Sequence, residues 1–219
     1  MQRNHPLDST RFYAILDTAY VPQERWVESC RALLQGGADL VQLRAKSTAP
    51  AERTALLEAI LPLFADRVTP LVINDDIDLA LEYPGLGLHV GQEDLNPREA
   101  RRRLGEDRVL GLSTHSPDQA RAALELGNNL SYFAVGPVFA TRTKPGYTPV
   151  GLDLVATVAA WERRSRSFPP WFCIGGITRE NVHRVLEGGG RRVVVVSDVL
   201  CAPNIAEAVR AYQAALAEV

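Results

Sequence analysis

Eight short stretches rich in Val, Ile and Leu alternate along the chain with eight stretches whose apolar residues recur at helical spacing. This alternation constrains the fold most. Strands separated by helices pair in parallel, and a parallel sheet needs helices packed on its faces. The strand patterns fall at 11–17, 40–45, 70–75, 87–91, 109–114, 132–138, 171–177 and 192–198. The helical patterns fall at 26–35, 50–66, 77–83, 97–104, 117–126, 152–166, 179–187 and 205–218. Within 50–66, Leu56, Leu57, Ile60, Leu63 and Phe64 share one helical face. Asn96 and Ser116 precede Pro97 and Pro117, a capping side chain followed by a first-turn proline. Gly36-Gly37, Gly105, Gly127 and Gly188-Gly189 mark helix ends.

Eight such units in 219 residues predict an α/β protein, a single-domain (β/α)8 TIM barrel spanning residues 1–219. A doubly wound open sheet is the alternative. It usually needs fewer strands, and no dinucleotide-binding glycine pattern follows the first strand. No linker, low-complexity segment or charge block divides the chain.

With 46% apolar residues the chain has material for a core, and a net charge of −2 gives no reason to expect nucleic acid or an anionic membrane as partner. Any anion site is therefore local. No apolar run approaches the roughly 20 residues of a membrane span, and the polar start Met1-Gln2-Arg3-Asn4-His5-Pro6 lacks a signal-peptide pattern. Cys30, Cys173 and Cys201 are odd in number and show no ligand spacing, as expected for reduced, mostly buried thiols of a cytoplasmic protein.

In such barrels chemistry belongs to the carboxyl ends of the strands and the loops after them. The second strand ends Gln42-Leu43-Arg44-Ala45-Lys46, and a period of two puts Gln42, Arg44 and Lys46 on one face. An amide and two cations there need either an anionic ligand or carboxylates from neighbouring strands. The third strand ends Asn74-Asp75-Asp76, and the fourth leads through His89-Val90-Gly91-Gln92-Glu93-Asp94. Asp75 and Asp94 thus come from adjacent strands. Beside a phosphate-seeking cluster they call for a divalent ion, and Mg²⁺ suits a site with one or two carboxylates. Asp76 reads as the cap of the next helix and Glu93 as a solvated loop acid.

The fifth strand offers Ser113 as a donor to an anion, while Ser116 reads as a helix cap. His115 reads as a loop or structural histidine, as do His5, His89 and His183, because no nucleophile and orienting partner surround it. After the sixth strand, Thr141-Arg142-Thr143-Lys144 packs two hydroxyls and two cations into four positions, which suits a phosphate oxyanion. The seventh strand carries Gly175-Gly176, which permits close approach to backbone N–H groups, or relieves crowding where strand meets helix. The eighth ends Ser197-Asp198, and Asp198 opposes an anion unless it points away.

With these segments in place, the chain resembles the thiamine phosphate synthase family from about residue 13 to 200. The segments that carry the likeness are Gln42-Leu43-Arg44-Ala45-Lys46, Asn74-Asp75-Asp76, His89 to Asp94, Gly136 to Lys144 and Ile174-Gly175-Gly176-Ile177. The resemblance implies a cytoplasmic, Mg²⁺-dependent transferase. Such enzymes join 4-amino-2-methyl-5-pyrimidinylmethyl pyrophosphate to a thiazole phosphate and release pyrophosphate. By matching position, Gln42, Arg44, Lys46 and Asn74 would bind the pyrimidine pyrophosphate, with Ser113 beside the pyrimidine. Asp75 and Asp94 would hold Mg²⁺. Thr141, Thr143 and Gly176 would bind the thiazole phosphate, Ser197 and Val199 would line its pocket, and Lys144 would contact the leaving pyrophosphate. Arg44, Lys46, Ser113 and Lys144 form the implied catalytic set.

The chemistry agrees with the lack of a readable nucleophile. A thiazole nitrogen already has its lone pair, so the protein must chiefly stabilise charge on departing pyrophosphate. Two positions depart from the family pattern: Ala140 replaces a common proline, and Asp198 stands where a small residue is usual. Two other readings compete. A related thiazole tautomerase would place a proton-shuttling histidine where this chain has Pro137. A non-catalytic thiamine-pathway binding protein would have no need of the carboxylates and cations. The partners implied are small molecules, and the sequence is compatible with a homodimer without deciding it.

Overall fold

The eight strand patterns close on themselves. In the computed structural model, which describes residues 7–141 and 148–218, the strands are β1 (Phe12–Asp17), β2 (Leu40–Arg44), β3 (Leu71–Asn74), β4 (Gly87–Val90), β5 (Leu110–Thr114), β6 (Tyr132–Val135), β7 (Trp171–Ile174) and β8 (Val193–Val195). They pair in chain order, all parallel, and β8 returns to β1 through Phe12 opposite Val193 and Ala14 opposite Val195. That closure rules out the open-sheet alternative.

Helices α1 (Trp26–Gly36), α2 (Pro50–Ile60), α3 (Ile77–Glu82), α4 (Pro97–Leu104), α5 (Pro117–Glu125), α6 (Gly151–Arg164), α7 (Val182–Glu187), α8 (Ser197–Leu200) and α9 (Ile205–Ala217) accompany the strands. The caps form as the sequence implies: Asp76, Asn96 and Ser116 accept from the backbone N–H groups of Leu79, Arg98 and Gln119.

Boundaries differ where a local device overrides the apolar pattern. The helix expected over 50–66 stops at Ile60 and continues as a 3-10 turn, Leu61–Phe64. Pro62 lacks an N–H, and its ring clashes with the carbonyl four residues earlier. Strands six to eight end three residues before the expected positions 138, 177 and 198. Gly136-Pro137 turns the first away, Gly175 takes a left-handed φ of 101°, and the chain winds into the single turn α8 at Ser197. The eighth helical pattern is α9, so α8 is an addition that apolar spacing does not signal.

Period-two alternation then decides what the barrel encloses. Tyr13 and Ile15 on β1, Gln42 on β2, His89 on β4, Ser113 on β5, Tyr132 on β6, and Phe172 and Ile174 on β7 share one parity. Tyr13, Tyr132 and Phe172 meet edge to face, with ring centroids 5.3 to 5.6 Å apart, and all three are fully buried. These rings make an apolar floor, and the remaining residues of that parity stand above it. Cys30 and Cys173 are buried, and burial pushes the Cys30 thiol up to about 12. Cys201 is exposed. Among the described residues no helix is long and apolar enough to cross a membrane.

Candidate active site

One concave mouth opens above the aromatic floor. Gln42, Arg44, Lys46, Asn74, Asp75, Asp94, Ser113, Thr141, Gly176 and Ser197 all line it. Thr143 and Lys144 lie outside the described residues. Val199 is not among the lining residues. Its side chain is wholly buried, because the turn of α8 that begins at Ser197 carries it into the core, with its N–H bonded to the Val196 carbonyl at 3.2 Å.

The charges at the mouth are paired. Arg44 Nη1 donates to Asp17 Oδ2 at 2.6 Å, and Asp17 is 1% exposed. Parallel pairing sets Asp17 opposite Arg44, and Asp17 Oδ1 also accepts from the Ala19 N–H at 3.1 Å. Lys46 Nζ lies 2.7 Å from Asp75 Oδ2, and Asp94 Oδ2 accepts from the Gly91 N–H at 2.7 Å. Among the described lining residues, Arg44 and Lys46 therefore face Asp75 and Asp94, with Asp17 buried behind Arg44. Asp75 has φ 62°, the one positive φ outside glycine among the described residues. Such a conformation needs support from its surroundings, and the Asp75 N–H donates to the His89 carbonyl at 2.8 Å.

Asp198, unfavourable beside an anion, is turned away from the mouth. Its Oδ2 accepts from Arg179 Nε at 2.9 Å and from the Tyr212 hydroxyl at 2.8 Å. Burial, reinforced by that carboxylate, pushes the Tyr212 phenol well above its ordinary range. Arg179 is the compensating cation, brought from the loop after β7.

The loop after β6 docks on the loop after β7. Val138 N–H donates to the Ile174 carbonyl at 2.8 Å and Phe139 N–H to the Gly175 carbonyl at 2.9 Å. Asn181 clamps the turn, since its Nδ2 donates to the Gly176 carbonyl and its Oδ1 accepts from the Thr178 N–H, both at 2.9 Å. Gly176 has φ 63°, and a Cβ there would lie 2.4 Å from the Ala140 carbonyl oxygen. Gly176→Ala is expected to lower stability by about 2 kcal/mol, from left-handed strain plus the clash. A urea midpoint unchanged in that variant would remove the steric argument.

Sequence reasoning missed Asp17, Tyr13, Tyr132 and Asn181 and treated His89 and His115 as structural. His89 and His115 both line the mouth. His115 also ties two loops together, with Nδ1 donating to the Gly136 carbonyl at 2.5 Å and its N–H donating to Gln119 Oε1 at 2.7 Å. The usable signal for Asp17 was strand parity, for it sits two residues past Ile15 at the carboxyl end of β1.

A closed barrel whose strand ends bring cations, carboxylates and hydroxyls to one mouth defines a (β/α)8-barrel protein built to act on small polar molecules. Residues 12–199 match the family described as thiamine monophosphate synthase, and the chain belongs to that family. It is 42% identical over 188 residues to the thiamine-phosphate synthase of Thermus thermophilus, covering 86% of this chain and 87% of that protein. It is 40% identical over 215 residues to that of Mycolicibacterium vanbaalenii, covering 93% of each. Among solved structures it is similar to thiamine phosphate pyrophosphorylase from Pyrococcus furiosus, with a TM-score of 0.82 and 26% identity over 98% of this chain and 97% of the other.

Proposed function

We propose that the chain condenses 4-amino-2-methyl-5-pyrimidinylmethyl pyrophosphate with thiazole phosphate, giving thiamine phosphate and pyrophosphate. The observation that carries this reading is the gathering of Arg44, Asp75 and Asp94 at one mouth with the hydroxyls of Ser113, Thr141 and Ser197, in a chain of this family.

The electrostatics support a divalent ion. Asp75 and Asp94 both line the mouth, and two carboxylates beside a diphosphate repel it unless a metal joins them. No group of three His, Cys, Asp or Glu side chains is assembled to hold a metal among the described residues. Mg²⁺ takes one or two carboxylates and completes its octahedron with water and phosphate oxygens. Asp75 and Asp94 would hold it, and it would supply charge neutralisation to the departing pyrophosphate.

The side chains do the rest. Asp17 holds Arg44 in place before substrate arrives, so its guanidinium needs no reorganisation as charge develops. Lys46 exchanges its bond to Asp75 for a phosphate oxygen. Asn74 and Gln42 orient the pyrimidine pyrophosphate, and Ser113 donates to the ring. Thr141, Ser197 and the Gly176 N–H seat the thiazole phosphate. Thr143 and Lys144 take the thiazole phosphate and the leaving pyrophosphate, on the strength of the family resemblance. No general base is required, because the thiazole nitrogen attacks with its own lone pair. The chain acts as one domain over 1–219, in the cytoplasm.

Purified protein given both substrates with Mg²⁺ is expected to release thiamine phosphate and pyrophosphate in equal amounts, and to stop when the metal is chelated. Isomerisation of the thiazole alone, or binding of both substrates without turnover, would overturn the reading.

A further inference from the structure

A continuous buried hydrogen-bond chain crosses the barrel beneath the mouth. Gln42 Nε2 donates to the Tyr13 hydroxyl at 2.6 Å. The Tyr13 and Tyr132 hydroxyls are 2.9 Å apart, the Tyr132 hydroxyl is 2.9 Å from His89 Nδ1, and His89 Nε2 is 2.9 Å from Ser113 Oγ. Five residues on five strands are joined, and both ends line the mouth.

We propose that this relay couples the hydrogen-bonding signs of its two ends, fixing Gln42 Oε1 as an acceptor and the Ser113 hydroxyl as a donor, so that the site selects an aminopyrimidine over its oxo counterpart. The inference rests on the proposed function for the identity of the ligand. Tyr13, Tyr132 and His89 are positioning residues in it.

The direction follows from the first link. An amide NH₂ can only donate, so Tyr13 accepts from Gln42 and passes its own proton to Tyr132. Tyr132 passes its proton to His89 Nδ1, which leaves the imidazole proton on Nε2, and that proton goes to Ser113 Oγ. The serine hydroxyl is then free to donate to a ligand. At the other end, Gln42 has given one Nε2 proton to the relay, and that bond fixes which way the amide faces, leaving Oε1 as its acceptor. That oxygen is not walled off, since the enclosed side-chain atoms without a partner among the described residues are Ser29 Oγ, Arg53 Nε and Arg192 Nε. Burial raises both phenols above their ordinary range, so each stays a neutral link carrying one proton. The fold makes room for the central link at Gly111, where a Cβ would lie 2.4 Å from the Tyr132 hydroxyl.

An aminopyrimidine presents N–H donors on its amino group and a lone pair on a ring nitrogen, which suits an acceptor at one end and a donor at the other. An oxo group in place of the amino group sets lone pairs against Gln42 Oε1. Turning the amide over would relieve this, but Tyr13 would then donate to Gln42. Every later link would reverse, and Ser113 would spend its proton on His89. Correcting one end spoils the other.

Two measurements test this. In ligand-free protein, ¹⁵N NMR is expected to show His89 protonated on Nε2 and bare on Nδ1; the opposite tautomer, or an averaged mixture, would overturn the relay. With the amino substrate and its 4-oxo analogue, the full chain is expected to favour the amino compound by at least about 1000-fold in kcat/KM. Tyr132→Phe cuts the coupling, and the preference should shrink at least about tenfold. Tyr13→Phe should act likewise if the first variant fails to fold. A preference unchanged in a folded variant overturns the coupling. Absence of thiamine phosphate from the unsubstituted chain would refute the proposed function, while the His89 tautomer still decides the relay.

Discussion

Turnover of an Asp75→Asn, Asp94→Asn double variant is expected to fall by at least about 1000-fold, with no recovery on raising Mg²⁺. The substitution is chosen to isolate charge. Asparagine tolerates the left-handed backbone that Asp75 adopts at φ 62°, and its Oδ1 still accepts where Asp94 now takes the Gly91 N–H. Lys46 loses its carboxylate but is about half exposed, so water replaces the contact. Stability should therefore move by no more than about 1 kcal/mol. A folded double variant that keeps full activity would rule out both residues as metal ligands.

Arg44→Met is expected to destabilise the fold by about 3–5 kcal/mol, because Asp17 is left buried without its cation. Asp17→Asn should be milder, about 1–2 kcal/mol, since the Arg44 side chain is 14% exposed at the mouth and can reach water. The pair together should recover much of the loss, giving a coupling of at least about 1.5 kcal/mol. Urea unfolding of the four proteins measures it. Strict additivity would mean that the 2.6 Å contact is incidental. Activity separates the roles: Asp17→Asn should slow turnover moderately, whereas Arg44→Met should slow it far more if, as proposed, Arg44 meets the departing pyrophosphate.

Strand parity and strand ends made much of this legible from the sequence. Gln42, Arg44 and Lys46 line the mouth because a period of two is a local property that the chain states directly. What the sequence left unread depends on neighbours distant in the chain. Asp17 matters because the β1–β2 register puts it beside Arg44, and nothing local announces that pairing. The relay joins residues 13, 42, 89, 113 and 132; Gln42 and Ser113 are legible at their strand ends, but the contexts of Tyr13 and Tyr132 read as ordinary core. Asp198 looked like a liability until Arg179 and Tyr212 came into contact with it. Val199 was placed with the site by family position alone, and the β-branched run beginning at Val193 gives no sign that the chain coils at Ser197.

The plug formed by Tyr13, Tyr132 and Phe172 makes the barrel a blind tube. Reactants and products therefore share one doorway. A ligand held where proposed, against Gln42 and Ser113 at 1% and 6% exposure, would have to arrive before one held at Thr141 and Gly176.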